Sequence, residues 1–406
     1  MPRASDQTEP PKARALTRLL PRGRAATAAS LGIFFTALLC FISIGAALPT
    51  LPTFVRGPLH SGDVAVGFVV GAFALTSVVC RPIAGRQSDR RGRRIVMVAG
   101  ALAMALGGVL YLLADNVGTL IAARLVVGAG EGIVYTSGAT WAVDLAPEDR
   151  RGFALGLFGL AVWGGLSLGP LAGELLRSSA GYDSVWTLTA ALPAAAALLA
   201  LRLPEPEFPA LSPEAEREAL LPKAAHRPGL ALALANVGYA SLAGFVVLAL
   251  KARGIEGGAT VFTAFAVAVF ASRLVLSRVP DRAGARPTAT AAGLLEALGL
   301  AVIAAAHSLG LALAGALIVG VGFSMLFPSL ALMVVGEVTD DRRGTAMGAF
   351  TAFFDIGVGL GGPIAGATAA LAGYPAVFYL SAAAALGTAV LAAAPERAPV
   401  AATAPD

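Results

Sequence analysis

The chain has 406 residues, of which 57% are hydrophobic and 14% are charged, and its formal net charge is +5. Soluble domains carry about 25% charged residues, so this composition excludes an ordinary soluble protein. A helix crosses a bilayer with about 20 apolar residues, so the chain can hold about a dozen spans joined by short connections. We therefore expect the lipid bilayer to surround the protein. No nucleic-acid partner is expected, because membrane topology accounts for the excess of basic residues.

Twelve apolar runs predict twelve membrane-spanning helices. The runs are residues 30–52, 64–84, 95–114, 118–142, 153–176, 184–203, 229–250, 258–279, 288–307, 309–336, 345–371 and 374–394. The predicted fold class is an all-α membrane protein with two six-helix bundles, residues 30–203 and 229–394. An N-terminal tail (1–29), a linker (204–228) and a C-terminal tail (395–406) complete the chain. A signal peptide is the alternative for the first run, but its full membrane length favours an uncleaved span.

Lysine and arginine are strongly biased to one side of the predicted membrane. The two tails, the linker and the loops on their side hold 23 of them, whereas the loops on the other side hold four. Because positive charge concentrates in cytoplasmic loops, both termini and the linker are predicted to be cytoplasmic. The composition, rich in alanine, glycine and arginine, indicates a bacterium with a GC-rich genome. The expected location is therefore the bacterial inner membrane, with multi-pass insertion.

The two halves of the chain repeat each other at an offset of 192 residues. The offset carries Asp89, Arg90, Gly92 and Arg94 onto Asp281, Arg282, Gly284 and Arg286, and it carries Arg81 onto Arg273. Two parallel repeats joined by a linker predict two pseudo-symmetric bundles. They also indicate a secondary transporter with its site between the halves.

The segment 85–94 contains five arginines and one carboxylate between two apolar runs. It resembles the loop 2–3 motif of the major facilitator superfamily, and the resemblance extends over nearly the whole chain except the tails and the linker. The matching positions are Gly85, Asp89, Arg90, Gly92, Arg93 and Arg94.

The resemblance implies a cytoplasmic gate. Asp89 would lie near the N-terminus of span 11, where a carboxylate is stabilised, and Arg93 would pair with Asp144 at the end of span 4. The alternative is that the arginines only determine topology. The second-half counterpart is degenerate, and Glu337 is expected to repeat the role of Asp144. Its residues are Asp281, Arg282, Gly284, Arg286 and Glu337.

Span 5 carries a second motif. It resembles the pattern of the 12-span drug:proton antiporters within the superfamily, although Glu174 stands where a second terminal glycine is expected. Glycines at this spacing would let another helix lie close, and the proline would bend the helix. The resemblance favours export over import, and generic tight packing is the alternative. The motif residues are Gly156, Gly165, Gly169, Pro170 and Gly173.

Three charged residues within spans are candidates for proton coupling. Arg124-x-x-x-Gly128 resembles the span 4 motif of the family, whose arginine is implicated in coupling. Glu131 lies two helical turns further on, so both side chains should face the same side. A charge within the bilayer is costly and usually faces a cavity or a partner, and we expect Arg124 to be the base that faces the cavity. The alternative is a static charge pair that fixes helix packing. Asp355 in span 11 is the third candidate.

The expected wall of the cavity consists of aromatic residues and one asparagine, namely Phe34, Phe41, Tyr135, Trp163, Asn236, Tyr239, Phe323, Phe327 and Phe354. Such walls suit lipophilic or amphipathic small molecules. The leading hypothesis is a proton-coupled exporter (antiporter) of drugs or hydrophobic metabolites that acts by alternating access as a monomer. Its energy source is the proton gradient, with no cofactor.

The same residues leave two other functions open. Export of sugars or lipid-linked molecules by the same fold is the first alternative, and a membrane sensor without transport is the second. An enzyme is not expected, because the sequence has no nucleophile–base constellation, phosphate loop or metal-ligand spacing.

Overall fold

A computed structural model describes residues 22–146, 151–205, 223–276, 278–338 and 343–394. Within these ranges, twelve helices are long and apolar enough to cross a membrane. The first half contains α1 (Arg22–Arg56), α2 (Asp63–Arg91), α3 (Arg93–Leu112), α4 (Val117–Asp144), α5 (Arg151–Ala180) and α6 (Tyr182–Ala200). The second half contains α7 (Lys223–Ala252), α8 (Gly258–Leu276), α9 (Ala285–Ala305), α10 (Leu309–Gly336), α11 (Arg343–Ala372) and α12 (Tyr374–Ala393). A short helix, Val279–Ala283, precedes α9.

The helix ends lie on two faces of the molecule. The face that carries the turn between α2 and α3 is called the basic face here, because the arginine-rich segment ends there. The face that carries the turn between α1 and α2 is called the opposite face. Helices suit a lipid bilayer because each helix forms its internal backbone hydrogen bonds within one segment.

The turns repeat between the halves in the same way as the sequence. Gly92 and Gly284 have φ values of 95° and 92°. These are left-handed conformations that glycine adopts without a steric penalty. At the opposite face, the side chain of Asn116 caps the start of α4, and Ser308, 192 residues later, caps the start of α10. The repeat therefore extends from the sequence to the backbone.

Helix packing repeats as well. Gly128 of α4 lies against the carbonyl group of Phe73 on α2, and Gly320 of α10 lies against that of Phe265 on α8. Both partners are shifted by the same 192 residues. Each half is thus one six-helix bundle built on the same contacts.

The two bundles meet chiefly through α2 against α11 and α5 against α8. The closest approach lies toward the opposite face, where glycines remove the side chains between α2 and α11. A Cβ on Gly71 would come within 2.8 Å of Pro363 Cδ, and a Cβ on Gly67 within 3.1 Å of Gly366 Cα. Small residues therefore hold the halves together on that side.

Some predicted boundaries differ from the structure. The second span was expected to end at residue 84, but α2 continues to Arg91, and the turn is the single residue Gly92. Arginine is a good helix former, which explains the extension. Helix α1 begins within the predicted tail, and α7 begins within the predicted linker. The predictions for residues 1–21, 206–222 and 395–406 lie outside the described residues.

Candidate functional site

A cavity lies between the two bundles, at middle depth and toward the basic face. Helices α1, α2, α4 and α5 form one wall, and α7, α8, α10 and α11 form the other. Four charged side chains line it: Arg81, Glu131, Arg273 and Asp355. Most of the remaining lining is aromatic or aliphatic. The cavity therefore combines a broad apolar surface with a small charged region.

Arg81 links the two bundles at this cavity. Its Nε donates to Asp355 Oδ2 at 2.6 Å, and its Nη2 donates to Asp355 Oδ1 at 3.2 Å. The same Nη2 donates to both carboxylate oxygens of Glu131, at 3.2 and 3.3 Å. The exposed fractions of these side chains are 13% for Arg81, 1% for Asp355 and 6% for Glu131. One guanidinium thus holds a carboxylate from each half.

Two neighbours position this cluster. Ser77, one turn before Arg81 on α2, donates to Glu131 Oε2 at 2.6 Å. Tyr135, one turn after Glu131 on α4, places its ring under the guanidinium of Arg81, with the ring centroid 4.6 Å from Cζ. Spacings of four residues put each pair on one helix face. Two carboxylates share one cation, so a single proton would make the cluster neutral.

Arg124 does not line the cavity, contrary to the sequence-based expectation. It is fully buried. Its Nε donates to the carbonyl oxygen of Val69 at 2.9 Å, its Nη2 to that of Val70 at 3.3 Å, and its Nη1 to Tyr111 Oη at 3.3 Å. The close approach of α2 at Gly128 brings these carbonyl groups within reach. Arg124 and Glu131 therefore have different partners, although they lie on one helix.

Arg273 of α8 is the second arginine in the cavity. Its guanidinium carbon lies 5.2 Å from the ring centroid of Trp163 on α5. Its Nε is buried and has no hydrogen-bond partner among the described residues. The cavity thus has two cations in different surroundings.

Seven of the nine candidate wall residues line the cavity: Phe41, Tyr135, Trp163, Tyr239, Phe323, Phe327 and Phe354. The other two lie elsewhere. Phe34 borders a separate small space beside Ala142 and Phe158. Asn236 is fully buried against the backbone and donates to the carbonyl oxygen of Leu232 at 2.8 Å.

The segment at the basic face forms the expected ion pair. Arg93 Nε lies 2.8 Å from Asp144 Oδ2, which ties the start of α3 to the end of α4. Next to it, Glu205 accepts a hydrogen bond from the backbone N–H of Arg94 at 3.1 Å. Gly85 lies inside α2, and Arg90 is exposed near its end. The side chain of Asp89 lies outside the described residues, so its position beside α11 stays a prediction.

The second-half counterpart reproduces the backbone but not the ion pair. Asp281 and Arg282 lie in the short helix, and Gly284 forms the turn. Ala285 stands where Arg93 would be, so Glu337 has no cation at that position. Glu337 is exposed and makes no ion pair within the described part of the chain. Arg286 lies in the first turn of α9.

The glycines of the span 5 motif pack α5 against α1 in the same bundle. A Cβ on Gly165 would come within 2.7 Å of the Ile42 backbone nitrogen, and one on Gly169 within 2.6 Å of Gly45 Cα. Gly173 lies against Ala46 in the same way, and Pro170 lies beside Gly45. Among the described residues, a Cβ on Gly156 would have no neighbouring atom within 4 Å. Four of the five residues therefore lie at one helix–helix contact.

A second polar contact between the bundles lies at the opposite face. Tyr374 Oη at the start of α12 donates to Asp63 Oδ1 at the start of α2, at 2.9 Å. Arg56 Nε lies 3.7 Å from the same oxygen. With the glycine contacts between α2 and α11, these residues close that side of the cavity.

The sequence marked Arg81 and Arg273 only as a matching pair of the repeat and did not assign them to the site. Their cost in a bilayer and their relation by the 192-residue offset were signals that could have assigned them to the site. No cluster of three or more His, Cys, Asp or Glu side chains suited to a metal occurs among the described residues.

Twelve helices in two bundles around a cavity define a multi-pass membrane transporter. The model of the Major Facilitator Superfamily matches residues 33–259 and 231–405, and the chain belongs to that family. The fold class and the family resemblance are therefore confirmed. Members of this family are transporters of small molecules and not enzymes. The antiporter branch stays a prediction.

Known relatives agree with this assignment. An uncharacterised MFS-type transporter of Salmonella typhimurium is 35% identical over 360 residues, which cover 86% of this chain and 92% of the relative. Another from Burkholderia mallei is 31% identical over 378 residues, which cover 90% and 92%.

Solved structures share the fold. The human organic anion transporter MFSD10 aligns with a TM-score of 0.68 and 21% identity over 92% of this chain and 100% of that chain. The nucleoside transporter NupG aligns with a TM-score of 0.72 and 15% identity, over 89% and 97%.

Proposed function

We propose that this chain is a proton-coupled exporter of drugs or of hydrophobic and amphipathic small molecules in a bacterial inner membrane. It works as a monomer by alternating access, driven by the proton gradient without a cofactor. The basic face is then the cytoplasmic face, as the distribution of lysine and arginine indicates.

The cluster of Arg81, Glu131 and Asp355 is the observation that carries this proposal. Asp355 belongs to the second bundle, so its ion pair with Arg81 joins the bundles. A proton on Asp355 would remove the negative charge and weaken that link, while Glu131 would keep Arg81 paired within the first bundle. Protonation would thus favour relative movement of the bundles without leaving a cation unpaired.

The position of the closed contacts supports alternating access. The bundles meet closely through Gly67, Gly71 and Tyr374 toward the opposite face, and the cavity lies on the basic side of them. This arrangement suits a state that takes up substrate from the cytoplasm. Release would require the contacts of α2 with α11 to separate.

The lining of the cavity supports an apolar or amphipathic substrate. Aromatic side chains such as Trp163, Tyr239 and Phe323 form much of the surface, and few uncharged polar groups reach it. A sugar would need more hydrogen-bonding groups, since each buried hydroxyl group requires a partner. This favours hydrophobic export over the sugar alternative.

Transport in proteoliposomes with an imposed pH gradient tests the proposal, with the lipophilic dye ethidium and 2-naphthoate as probes. We expect Glu131→Gln and Asp355→Asn each to lower gradient-driven transport at least about tenfold, a loss equivalent to about 1.4 kcal/mol. Exchange of the probe at equal pH should continue. Glu174→Gln is the matched control, since this carboxylate pairs with Arg177 away from the cavity. Unchanged gradient-driven transport in both variants would count against proton coupling.

A further inference from the structure

The two cavity arginines occupy equivalent positions in the repeat but have different neighbours. Arg81 becomes Arg273 on adding 192. The partners of Arg81 are Glu131 and Asp355, and their equivalents in the repeat are Phe323 and Trp163. Both carboxylates of the first site are therefore replaced by aromatic residues at the second site.

The contacts of the structure support this register. Gly128 and Gly320, each three residues before the positions compared on α4 and α10, make equivalent contacts with α2 and α8. The rings of Trp163 and Phe323 lie 5.5 Å apart between centroids, and Trp163 faces Arg273. Trp163 thus takes the place beside Arg273 that Asp355 takes beside Arg81, and Phe323 packs against Trp163.

Replacement of the carboxylates leaves Arg273 without a negative partner. An arginine is always protonated in proteins. Arg273 makes no ion pair within the described ranges of the chain, and its Nε is buried without a hydrogen-bond partner. Contact with one aromatic ring compensates only part of the cost of removing a cation from water. A negative charge is therefore missing at this point of the cavity wall.

We propose that Arg273 binds an anionic group of the substrate, and that Trp163 and Phe323 hold the aromatic or apolar body attached to it. The inference rests on the proposed function in one respect, that this cavity is the substrate site. Glu131 and Asp355 carry one more negative charge than Arg81 balances, so a second anionic group would be repelled. The substrate class is then a monoanion, such as an aromatic carboxylate.

Binding to the purified protein in nanodiscs tests this inference without a proton gradient. Three probes share one ring system and differ in charge: 2-naphthoate, the neutral 2-naphthamide and the cationic 2-naphthylmethylammonium. We expect 2-naphthoate to bind at least about tenfold more tightly than 2-naphthamide, the factor supplied by one charge-assisted hydrogen bond. The cation should bind most weakly.

Two variants test whether Arg273 is responsible. Arg273→Gln should abolish the preference for 2-naphthoate over 2-naphthamide. Trp163→Asp should also abolish the preference, because it gives Arg273 the carboxylate that Asp355 gives Arg81. Each affinity ratio is taken within one variant, so a general loss of stacking does not affect it. Arg177→Gln, outside the cavity, should keep the wild-type ratio.

Other outcomes would overturn the inference. Equal affinity for 2-naphthoate and 2-naphthamide, a persisting preference in Arg273→Gln, or no binding of any probe would each reject Arg273 as an anion site. Failure of the proposed function is recognised separately. A wild type that binds 2-naphthoate more tightly than 2-naphthamide but does not transport it in a pH gradient would reject proton-coupled export and keep Arg273 as the anion site.

Discussion

Replacement of Arg81 by glutamine should leave two buried carboxylates without a cation. Asp355 is 1% exposed and Glu131 is 6% exposed, and both lie within 3.3 Å of the guanidinium. Each ion pair has a Coulomb energy of about 4 kcal/mol at 4 Å with an effective dielectric constant of about 20. Removal of one partner of a buried pair costs about 3–5 kcal/mol, since the remaining charge has no compensation. We expect a loss of this size for Arg81→Gln.

The triple variant Arg81→Gln/Glu131→Gln/Asp355→Asn is the informative comparison. It removes all three charges, so no unpaired charge remains, and it should recover a large part of the lost stability. The single variants Glu131→Gln and Asp355→Asn should lose less than Arg81→Gln, because Arg81 keeps one partner in each. This order follows from charge balance and not from the number of hydrogen bonds.

Thermal unfolding measured with a thiol-reactive dye can test this order. Cys40 is fully buried and reacts only after unfolding, whereas Cys80 lies beside Arg81 and should be replaced by serine in every variant. A loss of a few kcal/mol corresponds to a shift of several degrees in Tm. Equal Tm values for Arg81→Gln and the wild type would refute the argument. A triple variant less stable than Arg81→Gln would refute it as well.

Two further predictions concern Arg124 and the closed side of the cavity. Arg124→Gln should lower Tm, because the carbonyl groups of Val69 and Val70 lose charge-assisted hydrogen bonds worth about 1.5–3 kcal/mol each. The variant should keep the pH dependence of transport. A changed pH profile would assign Arg124 to coupling. Gly71→Leu should prevent the close approach of α2 to Pro363 and lower transport at least about tenfold. Cysteines introduced at the opposite face should be labelled more strongly in this variant. Normal transport would show that this contact is dispensable.

The fold could be predicted because each of its signals is local. Apolar runs of membrane length identify the helices, and Gly92 with its copy Gly284 identifies equivalent turns. The exact ends could not be predicted, because the polar end of α2 remains helical beyond the apolar run as far as Arg91.

The site could be predicted only in part. Glu131 and Asp355 were candidates because charge in a span is costly, and seven wall residues were found from their helices and chemistry. The partners could not be found in this way. Arg81 and Asp355 are 274 residues apart in the chain, and only the packing of α2 on α11 brings them together. Arg124 was misplaced because the sequence does not show that the carbonyl groups of α2 lie within its reach.

Proton movement evoked by substrate tests the central claim most directly. Proteoliposomes that contain a pH-sensitive dye should record a proton flux when 2-naphthoate is added to the wild type, in the direction opposite to that of the substrate. Asp355→Asn should bind the probe and exchange it across the membrane without a proton flux. A substrate-evoked flux of wild-type size in Asp355→Asn would contradict the assignment of Asp355 to coupling. Substrate movement without any flux in the wild type would contradict proton-coupled export itself.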